Sequence, residues 1–156
     1  NDRDALWQAL KEDKIDIIAS DHAPHTIEEK NNKYLSCPSG GPMIQHTILS
    51  LLQKCKKYGV SYEKIVEKIA HNPAIIFKVN NRGFLREGYY ADVVLIDTNT
   101  PTHVTKDSLL YKCGWSPLEG QIFDNSIYKT ILNGNVVYED GKVNSIPYGK
   151  KITFNR

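Results

Sequence analysis

At 156 residues the chain is long enough for one domain with a real hydrophobic core, and its 40% hydrophobic and 24% charged content is ordinary for a folded, water-soluble protein. A net charge of only +2, with lysines scattered in short clusters, argues against a nucleic-acid or membrane partner, and no apolar run approaches transmembrane length. Three widely spaced cysteines without a Cys-x-x-Cys pair indicate neither a zinc finger nor a disulfide framework and fit a reducing, cytoplasmic setting.

The opening Asn1-Asp2-Arg3-Asp4 is no signal peptide; lacking an initiator Met, it suggests a chain cut from something longer. Residues 2–11 read as a helix capped by Asp2, with Ala5, Leu6, Ala9 and Leu10 on one face. Residues 15–19 then read as a buried strand, and a helix followed by such a strand is a β/α-barrel pattern. Residues 22–42 form a long polar connection ending in Pro38-Ser39-Gly40-Gly41-Pro42; loops of that length are uncommon unless functional. From 43 to 58, Ile44, Ile48, Leu51, Leu52 and Cys55 recur at helical spacing, with Gly59 as the stop. Ser61 caps a second helix with Ile65, Val66 and Ile69 inward, and Asn72-Pro73 restarts a third.

After Gly83 the pattern turns to β. Residues 91–96 read as an apolar strand, Asn133-Gly134 as a hairpin turn between 128–132 and 136–139, and Asp140-Gly141 as a further turn. A boundary is expected near residues 78–83. A barrel of this type needs roughly 250 residues, so the first half holds only the tail of one.

The chemistry concentrates in Ala19-Ser20-Asp21-His22-Ala23-Pro24-His25-Thr26-Ile27-Glu28, where the expected strand gives way to a loop. Functional groups gather at the C-terminal ends of barrel strands, and an Asp there can ligate a metal, act as a base, or do both. On residue type alone, Asp21 is equally a cap or turn residue, His25 a solvated loop histidine, and Ser39-Gly40 an ordinary turn. His46, His71 and His103 read as helix or surface histidines, and Cys37 as an inert thiol.

The stretch Ile18-Ala19-Ser20-Asp21-His22-Ala23-Pro24-His25-Thr26, followed by Glu29-Lys30, resembles the last-strand motif of the dihydroorotase family within the metal-dependent amidohydrolase superfamily. Asn72-Pro73-Ala74, the run from Gly88 to Asp97, and Ile131-Leu132-Asn133-Gly134-Asn135-Val136-Val137-Tyr138 resemble the superfamily's C-terminal signatures. The likeness implies an α/β fold: residues 1–80 as the last strand and helices of a (β/α)8 catalytic barrel, and 81–156 as the C-terminal strands of its small β-domain. It implies reversible, zinc-dependent interconversion of dihydroorotate and N-carbamoyl-aspartate in pyrimidine biosynthesis. Asp21 would be a zinc ligand and the catalytic base, taking a proton from the nucleophile and delivering it to the departing nitrogen. His25 would bind the substrate carboxylate, and Ser39 and Gly40 would offer backbone groups to the ring.

The family's binuclear centre also needs a His-x-His, a bridging carboxylated Lys and two further His, and this chain has no His-x-His. The expectation is therefore an inactive isolated chain that partners the remainder of its polypeptide and self-associates through exposed strand edges and helix faces. Two other readings stay open: a hydantoinase- or allantoinase-like cyclic amidohydrolase, and a non-catalytic scaffolding homologue.

Overall fold

The computed structural model describes residues 1–155. Helix α1, Asp2–Lys11, forms where expected, but its cap lies one residue earlier, the Asn1 side chain accepting from the Arg3 N–H at 3.3 Å. Asp2 and Asp4 occupy the first turn instead, where the positive helix end favours carboxylates. Its inward face differs too. Leu10 is buried and Trp7 stacks on Tyr58 at 4.8 Å, whereas Leu6 is 60% exposed.

Residues 15–19, expected as a strand, belong to no β-ladder, and no strand precedes Val93 among the described residues. A strand needs a neighbour to satisfy its backbone groups, and the neighbours here are helical: the Ile18 N–H donates to the Lys68 carbonyl at 3.1 Å. Ile15 and Ile18 pack on a cluster formed by Leu10, Cys55, Val60 and Ile65. No closed or parallel sheet exists among the described residues; of the barrel tail expected over residues 1–80, helices form and the last strand does not.

The long connection is less open than its composition suggests. It holds a short helix α2, Ile27–Lys30, and a 3-10 turn, Tyr34–Ser36. A second 3-10 turn, Ile44–His46, leads into α3, Thr47–Tyr58, which ends at left-handed Gly59. The buried face of α3 is Leu49, Leu52 and Cys55, while Ile44 is exposed. Burial pushes the Cys55 thiol up to about 11, so it is inert packing.

Ser61 caps α4, Tyr62–Val66, its hydroxyl accepting from the Lys64 N–H at 3.2 Å. The helix expected from Asn72-Pro73 begins there, with Pro73 in its first turn, but no break precedes it. Helix α4, a π-helical turn Glu67–His71 and α5, Asn72–Ile76, are contiguous, and the Asn72 N–H reaches back to the Glu67 carbonyl. Proline has no N–H to give and crowds the carbonyl four residues back; a widened turn ahead of Pro73 absorbs both.

The second half is β-rich: β1 Val93–Asp97, β2 Thr102–His103, β3 Ile122–Phe123, β4 Ser126–Leu132, β5 Asn135–Glu139 and β6 Lys142–Val143. An antiparallel sheet runs β1-β4-β5-β6, and β2 pairs with β3. Both two-residue turns carry positive φ, +51° and +81° at Asn133-Gly134 and +49° and +77° at Asp140-Gly141, the twist a tight hairpin needs. Arg82 binds Asp92 and the Asn133 side chain, and Asp92 in turn accepts from the Asn133 N–H at 2.8 Å.

Leu49 of α3 joins Val104 and Phe123 in a second core cluster. Against it lies His46, read from the sequence as a helix or surface histidine: it ends a 3-10 turn and is only 2% exposed, its ring 6.1 Å from that of Phe123. Burial lowers its pKa and keeps the imidazole neutral. All three cysteines are free, and no helix among the described residues is long and apolar enough to cross a membrane.

Behind the motif, the buried Lys68 ammonium lies 2.8 Å from Asp13, which Lys64 also grips at 2.8 and 3.0 Å. Hydrogen bonds from Lys64 and then Lys68 hold the Asp13 carboxyl at about 2. A carboxylate depressed on folding stabilises fully above its ordinary value of 3.8, and that contribution is lost as pH falls toward about 2. Asp13→Asn is therefore expected to lower the urea midpoint at neutral pH and to flatten the loss of stability below pH 3.8. An unchanged midpoint with an unchanged acid limb would show that the cluster contributes nothing.

Candidate functional site

The motif turns at Asp21, a non-glycine residue with φ +46°. Asp is among the few residue types that tolerate this left-handed region. Its carboxylate is exposed and makes no hydrogen bond or ion pair among the described residues. The next residue faces the other way. His22 Nδ1 accepts from the Met43 and Ile44 N–H groups at 3.1 and 3.4 Å, which leaves the proton of the neutral ring on Nε2. His22 thereby ties the motif to the start of α3, a role that no sequence signal announced.

The Ser39-Gly40 loop lies directly alongside. His22 and Gly41 form an isolated parallel bridge, and the Ala23 N–H donates to the Gly41 carbonyl at 3.0 Å. Gly40 sits at φ +85°, and a Cβ there would come 2.7 Å from the Ala23 Cβ, so only glycine permits this approach. Lys30 clamps the loop from α2, its ammonium donating to the Pro38 carbonyl at 2.6 Å and the Gly40 carbonyl at 3.0 Å.

His25 is half-buried, with Nδ1 3.5 Å from Glu29 Oε2. The same Glu29 closes a capping box with Thr26 at the start of α2. The His25 carbonyl accepts from Trp115 Nε1 at 2.7 Å, a contact between the two halves of the chain. Tyr111, from the same segment as Trp115, lies with its ring 5.3 Å from His22 and its hydroxyl accepting from the Gln45 N–H at 3.0 Å.

The structure thus places Asp21, His25 and the Ser39-Gly40 loop around one corner. The arrangement offers a proton acceptor, a donor for an anion and a close-packed backbone. A cleft of about 520 Å³ opens beside it against His22, Pro24, Ile44 and Tyr111. A larger one, about 730 Å³, lies against Arg82 and Arg86 and touches no motif residue. The smaller cleft adjoins the motif through His22 and Pro24 and is lined by none of Asp21, His25, Ser39 and Gly40.

A metal ion is a different matter. Among the described residues no three of His, Cys, Asp and Glu converge to hold one. Asp21 is a single donor, and His22 spends Nδ1 on backbone amides. Catalytic zinc takes three protein ligands, so these residues by themselves do not fit the ion.

Residues 1–137 match the model of the amidohydrolase family, and the chain belongs to that family. A dihydroorotase of Pyrococcus furiosus is 36% identical over 151 residues, 97% of this chain and 35% of its own length. An allantoinase of Desulfitobacterium hafniense is 33% identical over 150 residues, 94% of this chain and 33% of its own length. A D-hydantoinase structure superposes with a TM-score of 0.81 at 23% identity, over 90% of this chain and 32% of that one, a likeness of fold. The chain spans about a third of the length of the relatives it matches.

Gly40→Ala tests the corner. The added methyl, meeting Ala23 at 2.7 Å, is expected to push the loop off the motif and to speed hydrogen exchange of the Ala23 amide at least tenfold, a loss of about 1.4 kcal/mol of local protection. Unchanged exchange would mean that the loop is not seated by this contact.

Proposed function

We propose that the chain carries the acid–base end of a dihydroorotase active site, for reversible interconversion of dihydroorotate and N-carbamoyl-aspartate. The observation that carries this reading is the Asp21-to-His25 string seated against Gly41, with the Asp21 carboxylate left free. Asp21 takes the proton from the attacking water and returns it to the departing ring nitrogen. His25 donates to the substrate carboxylate, and the backbone at Ser39 and Gly40 faces the ring. Hydantoin carries no such carboxylate, so a histidine donor at this place favours dihydroorotate over that ring.

Zinc belongs to this reading as a centre to which Asp21 gives one ligand, the others coming from the remainder of the polypeptide. Residues 1–80 then stand as the end of the catalytic barrel and 81–156 as the β-rich segment of the small domain. Exposed Ile75, Ile76, Phe77 and Leu85 support burial against that remainder and in a homo-oligomer. A hydantoinase- or allantoinase-like substrate is the second reading, favoured by the allantoinase relative at 33% identity.

The test is turnover by the full-length polypeptide with zinc. Dihydroorotate is expected to be the preferred ring, with Asp21→Asn lowering kcat by about 10²- to 10⁴-fold. His25→Ala is expected to raise KM by about tenfold or more, the worth of a hydrogen bond to a charged group. The 156-residue chain with zinc should show no turnover. Preference for allantoin or hydantoin would move the assignment to the second reading. Undiminished turnover in Asp21→Asn would remove Asp21 from the chemistry, and a full-length protein inactive on all three rings would favour a scaffolding role.

A further inference from the structure

The peptide unit joining His25 to Thr26 is held at both ends. Its carbonyl accepts from Trp115 Nε1 at 2.7 Å, and its N–H donates to Glu29 Oε2 at 2.8 Å. On the other side of His25, its own N–H donates to the Ala23 carbonyl at 2.9 Å. The direction of the His25 side chain follows from the backbone these bonds fix, and only the Trp115 bond comes from outside the motif and its helix.

The same indole also lies beside the facing segment of the corner. A Cβ placed on Gly41 would lie 3.5 Å from Trp115 Cη2 and 3.7 Å from Pro117 Cγ, so the indole lies within about one side-chain atom of the Gly41 backbone. Gly41 is the residue whose carbonyl receives the Ala23 N–H. One side chain, 90 residues from His25 in sequence, therefore bonds the histidine's carbonyl and stands next to the loop that faces it.

We propose that Trp115 is a positioning residue: its indole sets His25 against the Ser39–Gly41 backbone, and thereby sets affinity for the carboxylate of the substrate. This rests on the reading of His25 given above. The indole touches neither substrate nor reacting atoms. Its loss acts on binding of the carboxylate rather than on the proton transfers of Asp21.

The test is a double-mutant cycle in the full-length polypeptide with zinc, comparing wild type, Trp115→Phe, His25→Ala and the double variant. Phenylalanine keeps a ring beside Gly41 and removes only the Nε1 donor. Trp115→Phe is expected to raise KM for dihydroorotate about three- to tenfold with kcat within about twofold, and to weaken N-carbamoyl-aspartate binding, read by titration calorimetry, by the same factor. In the His25→Ala background it should add nothing, because its effect passes through His25. An additive effect in that background, an unchanged KM, or a lowered Tm with unchanged kinetics would overturn the proposal. A wild type that binds N-carbamoyl-aspartate without turning over dihydroorotate would sink the functional reading alone. The cycle of dissociation constants then decides on Trp115, with coupling supporting it and additivity overturning it. A wild type that does not bind N-carbamoyl-aspartate at all would overturn both.

Discussion

The short backbone pairing of His22 and Ala23 with Gly41 is the contact on which the rest of the molecule turns. It returns a twenty-residue excursion to its starting point, and it works only because Gly40 approaches Ala23 without a side chain. Once it is made, Lys30 can cap the Pro38 and Gly40 carbonyls, and His22 can receive the Met43 and Ile44 amides. Those amides open the turn that becomes α3, and α3 carries both cores: Cys55 packs with Leu10, Val60 and Ile65, and Leu49 with Val104 and Phe123. One pairing therefore aligns the motif, its loop and the junction between the helical and β-rich halves.

Two aspartates in left-handed conformation show how differently the fold treats similar backbone strain. Asp13, at φ +59°, is bound by two lysines and is a structural anchor. Asp21, at φ +46°, has an exposed carboxylate with no partner among the described residues. Strain held without a local partner is a mark of functional positions. The donor set around Asp21 nevertheless stops at one carboxylate, so a metal site is not formed by the described residues alone.

What could be read before the structure was local. The helix over 2–11, the Gly59 stop, the Ser61 cap and the Asn133-Gly134 hairpin each depend on residues within a few positions of one another, and each formed. The readings that changed all hang on distant neighbours. The apolar run at 15–19 lacks a strand to pair with, the helix runs through Pro73 by way of a π turn, and His46 is buried by Phe123 from the other half. Of the candidate site, Asp21 and His25 were legible as residue types in a recognisable string, and Ser39-Gly40 as a turn in the loop that follows it. His22 as a tie to α3, and Lys30 and Trp115 as clamps, were not.

The sequence by itself determined the principal helices and the hairpin turns, the position of the motif and the chemistry its side chains can perform, because helix periodicity, turn dipeptides and functional groups are properties of short stretches. Only the tertiary structure decided which backbone faces the motif and which residue holds the His25 carbonyl. Those are settled by hydrogen bonds such as the one from Trp115, spanning 90 residues, and bonds of that reach leave no periodic trace in the chain.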